Sequence, residues 1–418
     1  YLIQGANTTD LAGSSVAALG DWDGDGTGDL LVGAPFTNAG GTVYVVPMAS
    51  GTLGGQVSWS GSAVADGLGT AVVALPDLDG DGRMELAATA PGGASLYGEL
   101  EVYDSHSGSP IPREAWTGQE LHGGFGSAVA NLGDADGNGI PTLAVGAYAY
   151  GYLSTFGGAV FLGETDGTDK NASDLVRMEG ATNTQTGWAL ANVGDVDGDG
   201  QDDLLVGSDP YNTALTAELA WLVTAPMAGD LVDVAAAAWE RESLYEDEGT
   251  VVGGAGDVDG DGYMDLLIGA PNDSEGGFSV GAAFLILGNP SGTESLTDAD
   301  AKILGSGFSY MQAGTSVAAV PDVDGDGLSD IAIGAPSADD ARTMSGSVYL
   351  VPGTVRGTVT ARTSAHTWWM GESLHQAGWA VGQAGDQDGD GISELWVSSV
   401  GYNGQSGAVW GFSLAGAR

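Results

Sequence analysis

Aspartates at alternate positions, Asp21, Asp23 and Asp25, followed by Asp29, place four carboxylates within one short stretch that also carries Gly26. Donors this rich in oxygen suit a hard cation of calcium's size, which takes six to eight oxygens at roughly 2.3–2.6 Å. A tightly curled backbone turns the alternate side chains toward one point, and glycine at position six supplies the freedom for the turn. The carbonyl of position seven, Thr27, can add an oxygen whatever its side chain. Asp29, at position nine, can give one or two more from the start of the next strand.

The loop at 21–29 recurs at 77–85, 134–142, 195–203, 257–265, 322–330 and 386–394. Four copies use Asp throughout: Asp21, Asp23, Asp25, Asp29; Asp195, Asp197, Asp199, Asp203; Asp257, Asp259, Asp261, Asp265; and Asp322, Asp324, Asp326, Asp330. Two end in Glu: Asp77, Asp79, Asp81, Glu85 and Asp386, Asp388, Asp390, Glu394. The third reads Asp134, Asp136, Asn138, then Ile140, Pro141 and Thr142, so position nine lacks a carboxylate. Six calcium sites are therefore expected, with a seventh, at 134–142, weak or empty. The backbone carbonyls expected to join them belong to Thr27, Arg83, Ile140, Gln201, Tyr263, Leu328 and Ile392. A single acidic, glycine-rich loop is often only a solvated turn, but six complete copies in one register favour a metal. An EF-hand would need Glu at position twelve. That position holds Val32, Ala88, Val145, Val206, Ile268, Ile333 and Val397, which excludes it.

The elements that position these loops repeat with them, at separations of 56, 57, 61, 62, 65 and 64 residues. Such long, regular spacing indicates repeated supersecondary units. Each loop follows a small-residue strand and leads into an apolar one without alternation, as expected when both faces are covered. A third strand follows a glycine turn, and a fourth, aromatic-tagged strand ends the unit; for the fourth unit, the segment 243–247 is assigned that role. The region 225–248 is the least regular and fits a short helix or a wide loop. After the last loop no fourth strand remains, whereas residues 1–5 read as an unattached one. The expected fold is all-β: one domain over 1–418, a seven-bladed β-propeller of four-stranded antiparallel blades closed by the N-terminal strand in the last blade.

Composition narrows the function. With 56 acids against 10 bases the formal charge is −46, of which seven divalent ions would offset less than a third. That balance argues against nucleic acid and anionic membranes. Cysteine is absent, so there is neither a disulfide framework nor a thiol nucleophile. No apolar run of about 18 residues could span a membrane. Weak, exposed carboxylate sites suit the calcium outside cells, and an extracellular or cell-surface location is expected. The first residue is not Met and no signal segment is visible, so a processed portion of a longer chain is expected.

These residues resemble the FG-GAP repeats of the integrin α-chain propeller and its bacterial relatives. The likeness rests on Phe125-Gly126, on Gly33-Ala34-Pro35, Gly269-Ala270-Pro271 and Gly334-Ala335-Pro336, and on the repeated acidic loops. The resemblance implies calcium in hairpin loops on one face and partner recognition on the other, by the connections between strands two and three and between blades. Aromatic residues fall in those connections: Tyr148, Tyr150, Tyr152 and Phe156 in one, with Tyr310 in another, and they are the candidate partner-binding residues. Packing over loop backbone is the competing reading for them. His122 and His375 occupy matched places and are read as shared repeat ancestry. The expectation is a calcium-stabilised, monomeric, non-enzymatic adhesion or interaction propeller for a protein or glycan. A polysaccharide-active enzyme or lectin on the same ring is the alternative, although no carboxylate pair outside the metal loops stands out for catalysis.

Overall fold

The computed structural model describes residues 2–5, 7, 9–37, 40–49, 52–53, 57–61, 66–106, 109–151, 156–208, 218–224, 231–242, 251–305, 310–339, 344–383 and 393–414. Seven sheets of four or five strands follow one another around a ring. In the first blade, Ser15–Leu19 lies innermost, then Asp29–Ala34, Thr42–Val46 and Val57–Ser60. Successive strands pair antiparallel, and the other blades repeat the order.

The second strand of each blade explains the missing alternation. Its alternate residues serve different interfaces: Leu30 and Val32 pack with Ile3, Trp396 and Val409 of the last blade, whereas Leu31 packs with Leu68, Val72 and Leu86 of the second. The fourth blade divides Leu204 and Val206 from Leu205 in the same way. The apolar core is thus a set of clusters between neighbouring blades, and both faces of a strand are removed from water. Glycine lets the blades approach. Gly407, at φ 78°, bridges to Ala12, and a Cβ there would lie 2.1 Å from the Ala12 carbonyl oxygen.

Closure follows the expected route. Leu2–Gln4 pairs antiparallel with Ala408–Phe412, setting Ile3 opposite Val409, and so completes the seventh blade.

Two expectations need correction. Three blades gain a fifth, parallel strand among the described residues. Lys170–Asn171 pairs with the outer strand Ser109–Thr117, Gly292–Ser295 with Ala237–Glu240, and Gly357–Thr360 with Ala301–Leu304. Each comes from the following blade and straps it to its predecessor. The outer strand of the fourth blade is Ala237–Glu240, where Trp239 is buried, rather than 243–247, which lie outside the described residues. A short helix, Leu231–Val234, precedes it.

Candidate metal loops and the opposite loop face

The acidic loops are wound by their own side chains. Asp21 Oδ1 accepts the N–H groups of Gly24 (2.7 Å) and Asp25 (2.9 Å), and its Oδ2 accepts that of Gly26 (2.9 Å). Asp77 repeats this with Gly80, Asp81 and Gly82, and Asp322 with Gly325, Asp326 and Gly327. Asp195 and Asp257 each hold the two corresponding glycines. Position five then accepts the N–H of position seven: Asp25 from Thr27, Asp81 from Arg83, Asp199 from Gln201, Asp261 from Tyr263 and Asp326 from Leu328. Gly26 sits at φ 91° with open space around it, so the turn needs its backbone freedom and not its small size.

The position-nine acid has a second duty. Asp29 is fully buried; its Oδ2 accepts from the N–H groups of Trp22 (2.8 Å) and Asp23 (3.2 Å), and its Oδ1 from Met48 (2.8 Å) beyond the third strand. Asp265 links Val258 to Gly288, and Asp330 links Val323 to Gly353, in the same way. Each carboxylate thereby ties loop, second strand and third strand together. Burial pushes Asp29 and Asp265 up to about 6 and Asp203 to about 7, against their backbone hydrogen bonds; Asp330 and Glu85 are raised for the same reason. Asp77, on the loop surface, is lowered by the Gly82 N–H.

Carboxylate oxygens converge within 4.8 Å of one another for Asp21, Asp23 and Asp29; for Asp77, Asp79, Asp81 and Glu85; for Asp195, Asp197 and Asp199; and for Asp257, Asp259 and Asp265. The fully buried Asp203 Oδ1 has no hydrogen-bond partner among the described residues. An all-oxygen donor set of this size fits a hard divalent cation. The sixth loop adds a residue that spacing within the loop could not reveal. His366, preceding the outer strand Thr367–Met370, places Nε2 3.0 Å from Asp324 Oδ2 and groups with Asp324 and Asp330. In the seventh loop, Asp386, Asp388, Asp390 and Ile392 lie outside the described residues, while Glu394 is buried.

The third loop is held differently. Asp134 Oδ2 accepts from Gly139 and Asn138 Oδ1 from Ile140, so the winding persists. Asn138 Nδ2 donates to Asp136 Oδ2 (3.1 Å) and to Glu164 Oε1 (2.9 Å), a neutral amide between two carboxylates. With Thr142 at position nine, the Ala135 N–H turns to the Gly133 carbonyl, and Thr165 binds the Pro141 carbonyl.

The opposite face sorts its aromatics. Tyr148 packs edge-to-face on Trp188 at 4.7 Å, and Tyr150 takes a 2.6 Å hydrogen bond from Arg177 and packs near Phe161. Both are half-buried, Tyr148 against the entry to the fourth blade and Tyr150 within its own blade, and Phe156 is half-buried too, whereas Tyr152 lies outside the described residues. Tyr310 is 61% exposed and meets the equally exposed Phe278 edge-to-face at 5.0 Å. His122 is exposed at a positive φ, and His375 packs on the ring of Tyr402.

A family model described as the FG-GAP repeat matches residues 12–46, 68–104, 186–217, 249–301 and 313–351. Five stretches of the chain thus match the FG-GAP repeat. The matched segments fall in the first, second, fourth, fifth and sixth blades; the third blade, with its amide-held loop, and the seventh lie outside them. Integrin alpha-5 of Xenopus laevis is 33% identical over 212 residues, 47% of this chain and 20% of that protein. Phosphatidylinositol-glycan-specific phospholipase D of Rattus norvegicus is 36% identical over 148 residues, 34% of this chain and 17% of that protein. The chain thus matches about a fifth of the length of these relatives. The crystal structure of BBS1N in complex with ARL6DN, soaked with lead, superposes with a TM-score of 0.53 at 9% identity, covering 99% of this chain and 98% of that one, a likeness of fold alone. Among the described residues no helix is long and apolar enough to cross a membrane.

Proposed function

We propose that this FG-GAP propeller is a calcium-stabilised, extracellular interaction module that recognises a protein or glycan through the loops opposite its acidic face and performs no catalysis. The observation that carries the reading is the buried position-nine acid. In the first loop, Asp29 joins Asp21 and Asp23 while holding the N–H groups of Trp22 and Met48, so an ion bound there would brace two strand connections at once. Similarity to integrin alpha-5 supports a protein partner and a longer parent chain. The exposed Phe278–Tyr310 pair favours the opposite face as the contact surface.

Calcium would be held by the acids of the six complete loops, and the third loop would stay empty because Asn138 already links Asp136 to Glu164. Calorimetric titration of the chelated protein should find about six sites, and a melt in chelator should fall well below one in calcium. An unchanged melt and no calcium uptake would overturn the reading. The phospholipase D relative raises an enzymatic alternative. Hydrolysis of a glycan or phospholipid substrate that is lost on mutating loop-face residues would establish it instead.

A further inference from the structure

Between the sixth and seventh blades, on the face away from the metal loops, lies a cavity of about 300 Å³. Its walls are aromatic. Trp369 from the outer strand of the sixth blade stacks on Phe412 from the third strand of the seventh, with centroids 5.0 Å apart and planes 24° apart. Tyr402, from the connection after the second strand, meets Trp410 edge-on at 5.6 Å. Ser399, Glu372 and His375, the last edge-on to Tyr402 at 4.8 Å, complete the polar lining. Ser399 Oγ is fully buried and has no hydrogen-bond partner among the described residues. The exposed Glu372 lines the cavity with no ion pair among the described residues, and no lysine or arginine lines it.

These features narrow the ligand. A purely apolar guest would leave Ser399 Oγ buried and unsatisfied, which costs free energy. An anion would face Glu372 within a chain of 56 acids and 10 bases. A sugar would need partners for most of its hydroxyls, and this lining offers few. A cation with an apolar surround matches the negative faces of the rings and the carboxylate together. We propose that the cavity binds a primary aliphatic ammonium group, as a lysine side chain presents it, with Trp369, Tyr402, Trp410 and Phe412 enclosing the alkyl chain, Glu372 countering the charge and Ser399 Oγ accepting an N–H.

This deepens the loop-face reading by naming the chemistry of the ligand, and its test is separable from that of the metal loops. The whole chain in calcium would be titrated with n-butylammonium against its uncharged counterpart, n-butanol, and against tetramethylammonium, which carries the charge without an N–H. Tryptophan fluorescence and calorimetry report binding. n-Butylammonium should bind at least about tenfold more tightly than n-butanol and more tightly than tetramethylammonium. Glu372→Gln, at an exposed position, should remove most of that preference with an unchanged circular dichroism spectrum. Ser399→Ala should weaken n-butylammonium, and an unchanged affinity in that variant would overturn the proposal. Equal binding of charged and uncharged probes, an unaltered preference in Glu372→Gln, or displacement by methyl glucoside would overturn the proposal. Ammonium binding alongside a chelator-insensitive melt would sink the metal reading alone.

Discussion

At the scale of the residue, the position-nine acids would couple protons to the proposed cations. Asp29, Asp203 and Asp265 lie at about 6 to 7 in the metal-free fold because burial disfavours their charge. The fold then holds their protons more tightly than the unfolded chain does. That contribution is complete below about pH 4 and is lost as pH rises through 6 to 7. In chelator, the melting temperature should therefore decline from about pH 5 to about pH 7.5, and the gain on adding calcium should be larger at the higher pH, where no proton competes. Scanning fluorimetry over that range checks this, and a chelated melt that rises with pH would contradict it. Asp265→Ala removes the acceptor for the Val258 and Gly288 N–H groups, each buried donor costing about 1–3 kcal/mol when left unpaired, so it should destabilise even without calcium. Asn138→Ala should cost about 1 kcal/mol equally with and without chelator, since its amide links Asp136 and Glu164 in place of an ion. Chemical denaturation in both conditions separates these cases. The acids were legible in the sequence because their spacing repeats. Their burial was not, since it depends on the third strand closing over them, and His366 stands far along the chain from the loop it joins.

At the scale of the element, the legible strands were those with apolar residues on both faces, such as Asp29–Ala34 and Asp265–Ala270. The straps escaped notice for a physical reason. Gly292–Ser295 and Gly357–Thr360 are short and, apart from the half-buried Val359, without apolar side chains, and what mainly holds them is backbone pairing to a strand of the preceding blade. In the fourth blade, an acid-ended segment looked like the outer strand, but Trp239 decided the register by filling the space between blades. Covering an outer strand also blunts an edge that would invite association. Proline cannot donate to a ladder; the Gly292 N–H bonds the Ala236 carbonyl, so in this parallel register the next N–H facing the partner strand is that of Glu294, and Glu294→Pro should weaken the strap on Ala237–Glu240, costing about 1–3 kcal/mol while leaving calcium stoichiometry unchanged. A variant with normal stability would show that the strap carries no load. Gly407→Ala would force a Cβ to within 2.1 Å of the Ala12 carbonyl and should be far more damaging than alanine at Gly26, where space is open.

At the scale of the whole molecule, the ring was legible from the count of loops and from the mismatch at the two ends, because a blade without an outer strand needs one from elsewhere. What spacing could not convey was that the core is shared out between blades, so that no blade owns its own interior. Calcium should therefore act on the entire ring: at a hundredfold excess over Kd, each filled loop adds about 2.7 kcal/mol by mass action. The pairing of Leu2–Gln4 with Ala408–Phe412 also imposes an order in time. Leu2–Gln4 emerges from the ribosome hundreds of residues ahead of its partner and has to wait, unpaired, while the intervening blades assemble. A contact between segments about 400 residues apart is slow to form. Folding of this protein should thus end in a late, rate-limiting latch, with a nearly complete ring persisting before its first strand finds a place.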